Sequence, residues 1–383
     1  MSNFHGVATR RNPDGVRPIT TLSTSAIGLP ITAPNADVGK FPYHKPVRVA
    51  SLRDAALLGV AGTGLKSLDA LFKQGYAECV VVRVPEPTAG NLGDVIGGVD
   101  VTSGDYEGIS ALLTAEAEIG VRPRILIAPY FSHHKSVGDA LVGVADKLRG
   151  YVYADGPDTT DAAAIQLRNE YGSERIRIHD PAVKTVFNGD EIVMPVSPFL
   201  AGARAALDQQ RGWWWSLSNF ELKGVTGTTR PSVYIPDDPT SRAQYLNANN
   251  VATIIKRNGY RCWGNRGCSN DPAWEFESIV RANDIISNSI DNNLSRWAVD
   301  RPINRAFFEN VAKSVTAYLA YLQSIGAVLG GRCWVDWAKG TETRMANGEA
   351  YFAYDLTVPA PAEHIGLEYL HVTDYYRALI GVA

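Results

Sequence analysis

The sequence has few cysteines, no long apolar run and no large excess of charge of either sign. Its 383 residues include 4 cysteines, and its formal net charge at pH 7 is −3. So few cysteines exclude a disulfide framework, and a chain of this length can bury a core that needs no such cross-links. No run approaches the roughly 18 apolar residues of a membrane-spanning helix, so we expect no direct membrane insertion. The near-neutral charge disfavours nucleic acid as a partner, because such binding depends on many phosphate contacts from Lys and Arg.

The first residues, MSNFHGVATRRNPDG, contain no apolar segment typical of a secretory signal. We therefore expect a protein that is made and kept in a reducing cytosol. Under those conditions Cys262 and Cys268, which flank a five-residue segment, are expected to be reduced thiols, although they could face each other across a turn. A zinc site is disfavoured because no second close pair of Cys or His completes four ligands.

Between about residues 46 and 195, apolar strands alternate with amphipathic helices. Near-continuous apolar strands separated by helices of about ten residues predict an α/β fold with a parallel sheet that is covered on both faces. The predicted strands are 47–49, 79–84, 124–128, 151–154 and 175–178. The predicted helices are 65–73, 106–119, 137–148 and 162–171.

The second half of the chain predicts a different arrangement, with two short strands followed by two long helices. The strands are 251–256 and 260–263. The first long helix begins near Pro272 and ends near Trp297, and the second covers 303–325, with apolar residues on one stripe of each. Three further strands are predicted at 332–336, 351–358 and 367–373.

Both ends of the chain predict extended arms. Residues 6–11 and 17–22 flank Asn12-Pro13-Asp14-Gly15, which is turn chemistry and predicts a hairpin. A lone hairpin is marginal in water, so it must pair with its own body or with a neighbour. The organisation is then an N-terminal arm (1–25), an α/β domain (26–195), a C-terminal core domain with two long helices (196–360) and a C-terminal arm (361–383).

An α/β pattern also invites an enzyme interpretation. His133 and His134 follow one predicted strand, and Asp155 and Asp180 follow two others, at the carboxyl ends where open α/β sheets bind ligands. No nucleophile motif accompanies them, and the Gly-rich stretch 59–64 lacks the spacing of a nucleotide-binding loop. Loop-capping polar residues explain the four side chains more simply. An enzyme with a small-molecule site near His133 remains an alternative, with no catalytic, cofactor or metal residue assigned.

Three consecutive tryptophans, Trp213–Trp215, follow the helix that Gly212 ends. They could form a platform for carbohydrate or another surface ligand. Packing at a domain junction or an interface is favoured, because large aromatic side chains commonly seal such places.

Residues 259–297 carry a recognisable pattern. Gly-Tyr-Arg-Cys-Trp-Gly-Asn-Arg at 259–266 and Asp-Pro-Ala-Trp-Glu-Phe at 271–276 resemble the corresponding stretch of contractile phage tail sheath proteins, of the type found in smaller myophages and R-type bacteriocins. Residues 121–129 and 198–213 are similar to other parts of that family, in the same order. Gly267 and Cys268 depart from the family, which usually has Thr after the Arg, and a triple Trp is also unusual.

The resemblance implies a structural subunit, not an enzyme, that forms hexameric rings stacked around a tail tube. Its arms would insert as strands into the sheets of neighbouring subunits, and contraction would drive the tube through the target cell envelope. The partners implied are the chain itself, a tail tube protein, and baseplate and tail terminator proteins. The location implied is a virion tail or bacteriocin particle, assembled in the bacterial host cytoplasm.

The expected inter-subunit arm residues are Val7, Thr9, Arg11, Ile19, Leu22, Leu367, Tyr369, His371 and Thr373. The candidate contacts with the tube or a neighbouring subunit are Lys256, Arg257, Arg261, Arg266, Arg281 and Lys313.

Overall fold

The computed structural model describes residues 17–88 and 90–373, together with 375, 376 and 379. The strands are β1 (Ile27–Thr32), β2 (Pro46–Val49), β3 (Cys79–Val84), β4 (Gly98–Val99), β5 (Tyr106–Glu107), β6 (Ile125–Leu126), β7 (Tyr151–Asp155), β8 (Ile176–His179), β9 (Val183–Phe187), β10 (Asp190–Met194), β11 (Val225–Thr228), β12 (Val251–Lys256), β13 (Tyr260–Trp263), β14 (Gly330–Val335) and β15 (Phe352–Thr357). The helices are α1 (Leu52–Ala55), α2 (Gly64–Phe72), α3 (Gly93–Ile96), α4 (Ala115–Ile119), α5 (Lys135–Leu148), α6 (Asp161–Asn169), α7 (Ser197–Gln210), α8 (Arg242–Ala248), α9 (Glu277–Trp297), α10 (Arg305–Ser324) and α11 (Glu342–Ala346).

The main sheet has eight strands in the order β13-β12-β8-β7-β6-β1-β3-β2. The six inner strands are parallel, whereas β13 and β2 pair antiparallel at the two edges. The α/β fold predicted from the sequence is confirmed. Six parallel strands need cover on both faces, because crossover helices connect them.

The two faces of the sheet carry two separate hydrophobic cores. Alternate residues of β3 point to opposite sides, so that Val81 packs in one core and Val82 in the other. The first core includes α2 and the apolar side of α7, and the second includes α5 and the 3-10 segment 108–113. None of the helices within the described ranges is long and apolar enough to cross a membrane.

The central strand β1 lies between β3 and β6, and the sequence pattern did not predict it. Gly28 and Pro30 interrupt the strand signal, because both residues are normally rare inside strands. The structure tolerates Pro30 because β6 pairs only with Ile27 and Gly28, so that beyond this point β1 is paired on the β3 side alone.

The predicted helix 106–119 is wrong over its first half. Residues 106–107 pair with β4, residues 108–113 form a 3-10 segment, and α4 begins only at Ala115. Gly108 adopts φ +56, and the main-chain oxygen of Val95 lies where a Cβ would be, so this position needs glycine.

A small antiparallel sheet, β10-β9-β11, follows the main sheet and was also not predicted. Asn188 and Gly189 connect β9 to β10 with φ angles of 52 and 93, as expected for a tight two-residue hairpin. This signal is present in the sequence as Phe-Asn-Gly-Asp at 187–190.

The predicted domain boundary at 195 and 196 does not separate two cores in the structure. Helix α7 packs on the main sheet, and β12, at 251–256, extends that sheet by pairing with β8. A second unit begins with α9, whose later turns pack with α10 and with the two-stranded sheet β14-β15 around a third core. The α/β body therefore extends to about residue 276, because the chain returns to the sheet after the small β-sheet.

Candidate assembly interface

The N-terminal segment 17–25 lies in a groove between α9 and α10 and forms no strand in the structure. Its main chain is bound by side chains of the two helices. Asn293 accepts from the Thr20 N–H at 3.3 Å and donates to the Thr20 carbonyl at 2.9 Å. Ser289 accepts from the Leu22 N–H at 3.2 Å. The predicted strand 17–22 is therefore wrong for the single chain, because side chains rather than a partner strand satisfy this main chain.

Ile19 fixes the same segment through apolar contact. Its side chain is 8% exposed and belongs to the core formed by α9 and α10. Burial of an Ile side chain contributes about 1.5–3 kcal/mol, and each hydrogen bond adds roughly 0.5–1.5 kcal/mol net. Of the expected arm residues at this end, Ile19 and Leu22 thus contact their own subunit. Val7, Thr9 and Arg11 lie outside the described residues.

The C-terminal segment leaves the body after β15 and exposes a row of apolar side chains. Residues 358–373 form no strand in the structure. Leu367 is 90% exposed, Tyr369 is 82% exposed, and His371 and Thr373 are exposed as well. Ile365 and Leu370 are similarly accessible. Apolar side chains exposed side by side are typical of an interaction surface.

The sheet β14-β15, whose second strand leads into this segment, is a candidate recipient for a strand. Its two strands pair with each other and with no third strand among the residues described. Open strand edges present main-chain donors and acceptors that readily take up another strand. The outer edge of β14 is partly occupied, because the Thr316 hydroxyl of α10 bonds to the main-chain N–H and C=O of Cys333. The outer edge of β15 is therefore the candidate position, and the C-terminal unit contains both this edge and an apolar segment that forms no strand.

Arg266, one of the candidate contact residues, binds the root of the C-terminal segment. Its Nε lies 3.1 Å from both carboxylate oxygens of Glu363, and its Nη2 lies 2.7 Å from Oε2. Its Nη1 pairs with Glu275, and its guanidinium stacks over the ring of Phe276. The hydrogen bonds that Arg266 donates to the Glu363 carboxylate raise the pKa of Arg266. This arginine is therefore already partnered within its own chain.

Lys256, Arg257 and Arg261 lie together near the β12–β13 turn. Arg261 donates to the carbonyls of Asn219, Arg257 and Asn258, so it braces this turn. Arg257 and Lys256 are exposed, with their charged groups over the rings of Tyr234 and Tyr260 at 5.5 and 5.6 Å. Lys256 and Arg257 thus remain available to an acidic partner.

Lys313 lies elsewhere, at the rim of an apolar groove between α10 and β14. The groove has a volume of about 850 Å³, and Phe308, Val335 and Trp337 form part of its lining. Lys313 is 62% exposed and pairs with Glu309 in the same helix. The six predicted contact residues therefore do not form one surface.

Arg281 is a correction to the predicted contact surface, because it is buried. It is 3% exposed and donates to both carboxylate oxygens of Asp208, at 3.1 and 2.7 Å. It also donates to the main-chain oxygen of Thr24. A side chain that is fixed inside the subunit cannot reach a tube or a neighbour.

Arg281 belongs to a buried charge network that connects the sheet, α7 and α9. Glu277 pairs with Arg177 at 2.9 Å and with Arg204 at 3.6 Å, and Arg204 also pairs with Asp208 at 2.6 Å. Burial alone would raise the pKa of Glu277, but the charges of Arg177, Arg204 and Arg281 outweigh burial and leave it lowered. The carboxylate is therefore ionised, and the network fixes α9 to the α/β body.

Burial likewise acts to raise the pKa of Asp208, and Arg204 and Arg281 lower it overall. The sequence contains a signal for this network. Arg204 and Asp208 stand four residues apart within the apolar helix α7, and Glu277 and Arg281 stand four apart at the start of α9. Opposite charges at this spacing on an otherwise buried helix face predict a buried pair.

The residues that favoured an enzyme have structural partners. The Asp155 carboxylate accepts hydrogen bonds from the Ser132 hydroxyl and from the Ser197 N–H and hydroxyl, at 2.6–2.9 Å. Burial raises its pKa to about 6, against the opposing effect of these hydrogen bonds. Asp180 pairs with Arg230. Both carboxylates thus stabilise loops at the end of the sheet.

His133 and His134 pack against each other rather than against these carboxylates. Their ring centroids are 4.0 Å apart, and burial lowers the pKa of His133, with a smaller contribution from His134. The structure does not bring the histidines and the aspartates into one hydrogen-bonded group among the described residues.

Two of the three tryptophans pack in or against the third core, and the last one is exposed. Trp213 is 7% exposed in the third core, and Trp214 packs edge-on against it at 5.2 Å. Trp215 is 46% exposed and lies beneath the guanidinium of Arg211. Packing at the junction between the α/β body and the helical unit, as favoured from the sequence, accounts for two of the three.

The four cysteines carry free thiols, and Cys262 and Cys268 point into different cores. Burial raises the pKa of Cys262 to about 11 and that of Cys268 to about 12. Both thiols are therefore protonated near neutral pH, whereas nucleophilic and redox chemistry needs the thiolate.

Comparison with known proteins identifies the family. Residues 101–268 match the phage tail sheath protein central domain, and residues 269–369 match the phage tail sheath C-terminal domain. The two matches meet at residues 268 and 269, shortly before α9 begins at Glu277.

Relatives match over their full length. The chain is 33% identical to the tail sheath protein of Escherichia phage P2, covering 99% of this chain and 98% of the relative. It is also 33% identical to the major tail sheath protein of Serratia phage KSP20, covering 98% and 97%.

The fold is similar to that of the helical sheath of the anti-feeding prophage in its contracted state. The TM-score is 0.73 at 20% identity, and the match covers 97% of this chain and 100% of the other. The sheath of an extracellular contractile injection system (PVC), also contracted, gives a TM-score of 0.72 at 18% identity over 98% and 99% of the two chains. From its matches to the family and its relatives, this chain belongs to the phage tail sheath proteins, the structural sheath subunits of contractile tails.

Proposed function

We propose that the chain polymerises as hexameric rings that stack into a helical sheath around a tail tube. A signal from the baseplate then lets the rings repack into a shorter and wider lattice, which drives the tube through the target cell envelope. The assembled particle is a virion tail or a bacteriocin, built in the bacterial host cytoplasm. The other partners are a tube protein and the baseplate and terminator proteins at the ends of the sheath.

The exposed apolar C-terminal segment is the observation that carries this proposal. Leu367, Tyr369 and their apolar neighbours lie in solvent, and the outer edge of β15 pairs with no strand in the described part of the chain. Addition of this segment as a strand to the sheet β14-β15 of a neighbour would satisfy main-chain groups on both sides. It would also bury side chains worth about 1.5–3 kcal/mol each. Such a link tethers neighbouring subunits while their bodies change position.

The buried charge network supports a contraction in which each subunit moves as a unit. It joins β8, α7 and α9 through three arginines and two carboxylates, and separating them would leave unpaired charges in the interior. Rearrangement is then favoured at contacts between subunits. The difference in packing free energy between two lattices drives the motion, which is a form of two-state switching.

Lys256 and Arg257 are our candidates for contact with an acidic surface of the tube or of a neighbour, since both are exposed. Lys313, at the rim of the apolar groove, is a second candidate on a different surface. Arg266 is assigned to the C-terminal segment instead, through Glu363.

Negative-stain electron microscopy of the purified chain tests the proposal. Wild type should form hollow striated cylinders of uniform width. A double variant, L367S with L370S, should remain monomeric because the transferred strand loses its apolar contacts. The matched control is V101S, which removes a side chain that is 99% exposed on the β4–β5 hairpin of the body. Cylinders from the double variant at wild-type yield would contradict the role given to this segment.

A further inference from the structure

The groove between α9 and α10 has features that a simple helix pair does not need. The two helices pack through apolar stripes, but polar side chains replace apolar ones where segment 17–25 lies. They stand four residues apart on each helix, as Ser289 and Asn293 on α9 and Ser314 and Tyr318 on α10. All four are buried.

Three of these side chains bind the main chain of the segment, and the fourth, Tyr318, forms a hydrogen bond with the Thr21 hydroxyl at 3.0 Å. The Asn293 amide both accepts from Thr20 N–H and donates to Thr20 C=O, which is the pair of bonds that a neighbouring strand would otherwise make. Ser289 and Ser314 accept from the N–H groups of Leu22 and Arg17, each at 3.2 Å. A groove that binds main-chain groups in this way fixes an extended segment.

The segment is also fastened at both of its ends. At one end, the Arg17 guanidinium lies over the ring of Trp297 at 5.3 Å. At the other end, the Thr24 hydroxyl donates to Asp208 at 2.8 Å, and its carbonyl accepts from Arg281. Through Thr24 the segment is therefore joined to the buried charge network and to the main sheet.

We propose that residues 17–25 are a fixed anchor, with Asn293 as its positioning residue, and that this segment stays in the groove of its own subunit in the polymer. The arm that links subunits then begins before Arg17. Force that a neighbour applies to the arm is transmitted to α9 and α10 through Asn293. It is transmitted to the α/β body through Thr24. This inference rests on the proposed sheath function. It adds a role for Asn293 and a boundary at Arg17 between arm and anchor, and a sheath subunit could function without either.

A reversible cross-link tests whether the segment stays in place. In an L22C and S289C double variant, a disulfide formed in the dilute monomer joins the segment to its own α9. We expect the oxidised protein to form cylinders at the same yield as the reduced protein. If oxidation blocks assembly and reduction restores it, the segment must leave its groove and the proposal is overturned. Wild type treated with the same oxidant controls for the native cysteines.

Hydrogen exchange of the monomer tests the role of Asn293. In N293A the amides of Thr20 and Leu22 should exchange roughly tenfold faster or more, since two anchoring bonds to Thr20 are lost, while the inner turns of α9 and α10 keep their protection. S295A is the matched control, because Ser295 is exposed on the same helix and its hydroxyl bonds, within the described part of the chain, to the carbonyl of Asp291 and not to the segment. Unchanged exchange at Thr20 and Leu22 would overturn the assignment.

The yield of cylinders shows whether the contacts of Asn293 matter for assembly or only for the local structure of the monomer. N293A should assemble with reduced yield, and the L22C–S289C disulfide should restore that yield in the N293A background. Normal assembly of N293A, or a failure of the disulfide to restore it, contradicts the anchor. A wild-type chain that forms no cylinders would instead count against the proposed function, irrespective of the anchor.

Discussion

Arg266 and Glu363 are 97 residues apart in sequence and form a bidentate ion pair at the place where the C-terminal segment leaves the body. Between the buried Val358 and Glu363 stand Pro359 and Pro361, which favour a stiff extended chain. The pair fixes the chain at Glu363, and in the proposed sheath we therefore place the start of the segment that reaches a neighbour at His364, within the arm predicted at 361–383.

The first prediction concerns this pair. E363Q should leave the free energy of unfolding within about 1 kcal/mol of wild type, because both partners are about one-third exposed and such pairs contribute little. Amides near residue 363 should exchange faster, and cylinders should form more slowly. The matched control is E368Q, which removes the same charge from the same segment without touching Arg266. Equal assembly rates for E363Q and wild type would contradict this role.

The second prediction concerns the buried charge network. R281M should lower the free energy of unfolding by about 3–5 kcal/mol, because Asp208 would keep a buried charge with one partner fewer. Urea denaturation of the monomer measures this loss. R296M on the exposed end of α9 is the matched control and should change stability by less than about 0.5 kcal/mol. Similar stability of R281M and wild type would show that the network is not a major constraint on α9.

The third prediction concerns pH. Burial raises the pKa of Asp155 to about 6 in the folded protein, above the roughly 3.9 of an unfolded chain. The folded state therefore binds the proton more tightly, and ionisation of this group destabilises the fold as pH rises from about 4 to 6.

D155N removes this titration. The free energy of unfolding of wild type minus that of D155N should therefore fall by about 2–3 kcal/mol between pH 4 and pH 7. Subtracting the variant cancels the opposite pH dependence of Asp208 and Glu277. Their lowered pKa values give a stabilisation that is complete above their unfolded pKa and is lost as pH falls through their folded pKa. A difference that does not change with pH would show that Asp155 is not strained by burial.

The fourth prediction separates the anchor from the arm. Removal of residues 1–16 should leave a monomer of near wild-type stability that does not assemble. Removal of 1–25 should also destabilise the monomer, because Ile19 and the Thr24 contacts are lost, whereas an arm of 1–25 predicts no such loss. I19A alone should cost about 2–4 kcal/mol in unfolding free energy. Equal melting temperatures for the two deletions would contradict the boundary at Arg17.

Strongly periodic segments could be predicted from the sequence, and interrupted ones could not. The strands at 79–84, 251–256 and 260–263 were predicted with their observed bounds, and α9 and α10 agree to within a few residues. Their apolar patterns reflect burial directly. Strand β1 was missed because Gly28 and Pro30 argue against a strand, and only the pairing with β3 and β6 shows why they are tolerated.

The candidate interface was harder to predict, because the role of each side chain depends on contacts with residues that are distant in the sequence. Arg281 looked like a surface cation, since its carboxylate partner Asp208 lies 73 residues earlier in the chain. The role of Asn293 could not be predicted, because its partner is a main chain from the other end of the sequence. The resemblance to sheath proteins, in contrast, depended on ordered motifs and identified the family without any of these contacts.

The most direct test of the account is a cryo-electron microscopy reconstruction of the cylinders formed by the purified chain, at a resolution that separates strands. The account predicts that residues from His364 onward form a strand on the sheet β14-β15 of a neighbouring subunit, while residues 17–25 remain between α9 and α10 of their own subunit. A polymer in which the C-terminal segment packs on its own subunit, and neighbours touch only through their bodies, would contradict it.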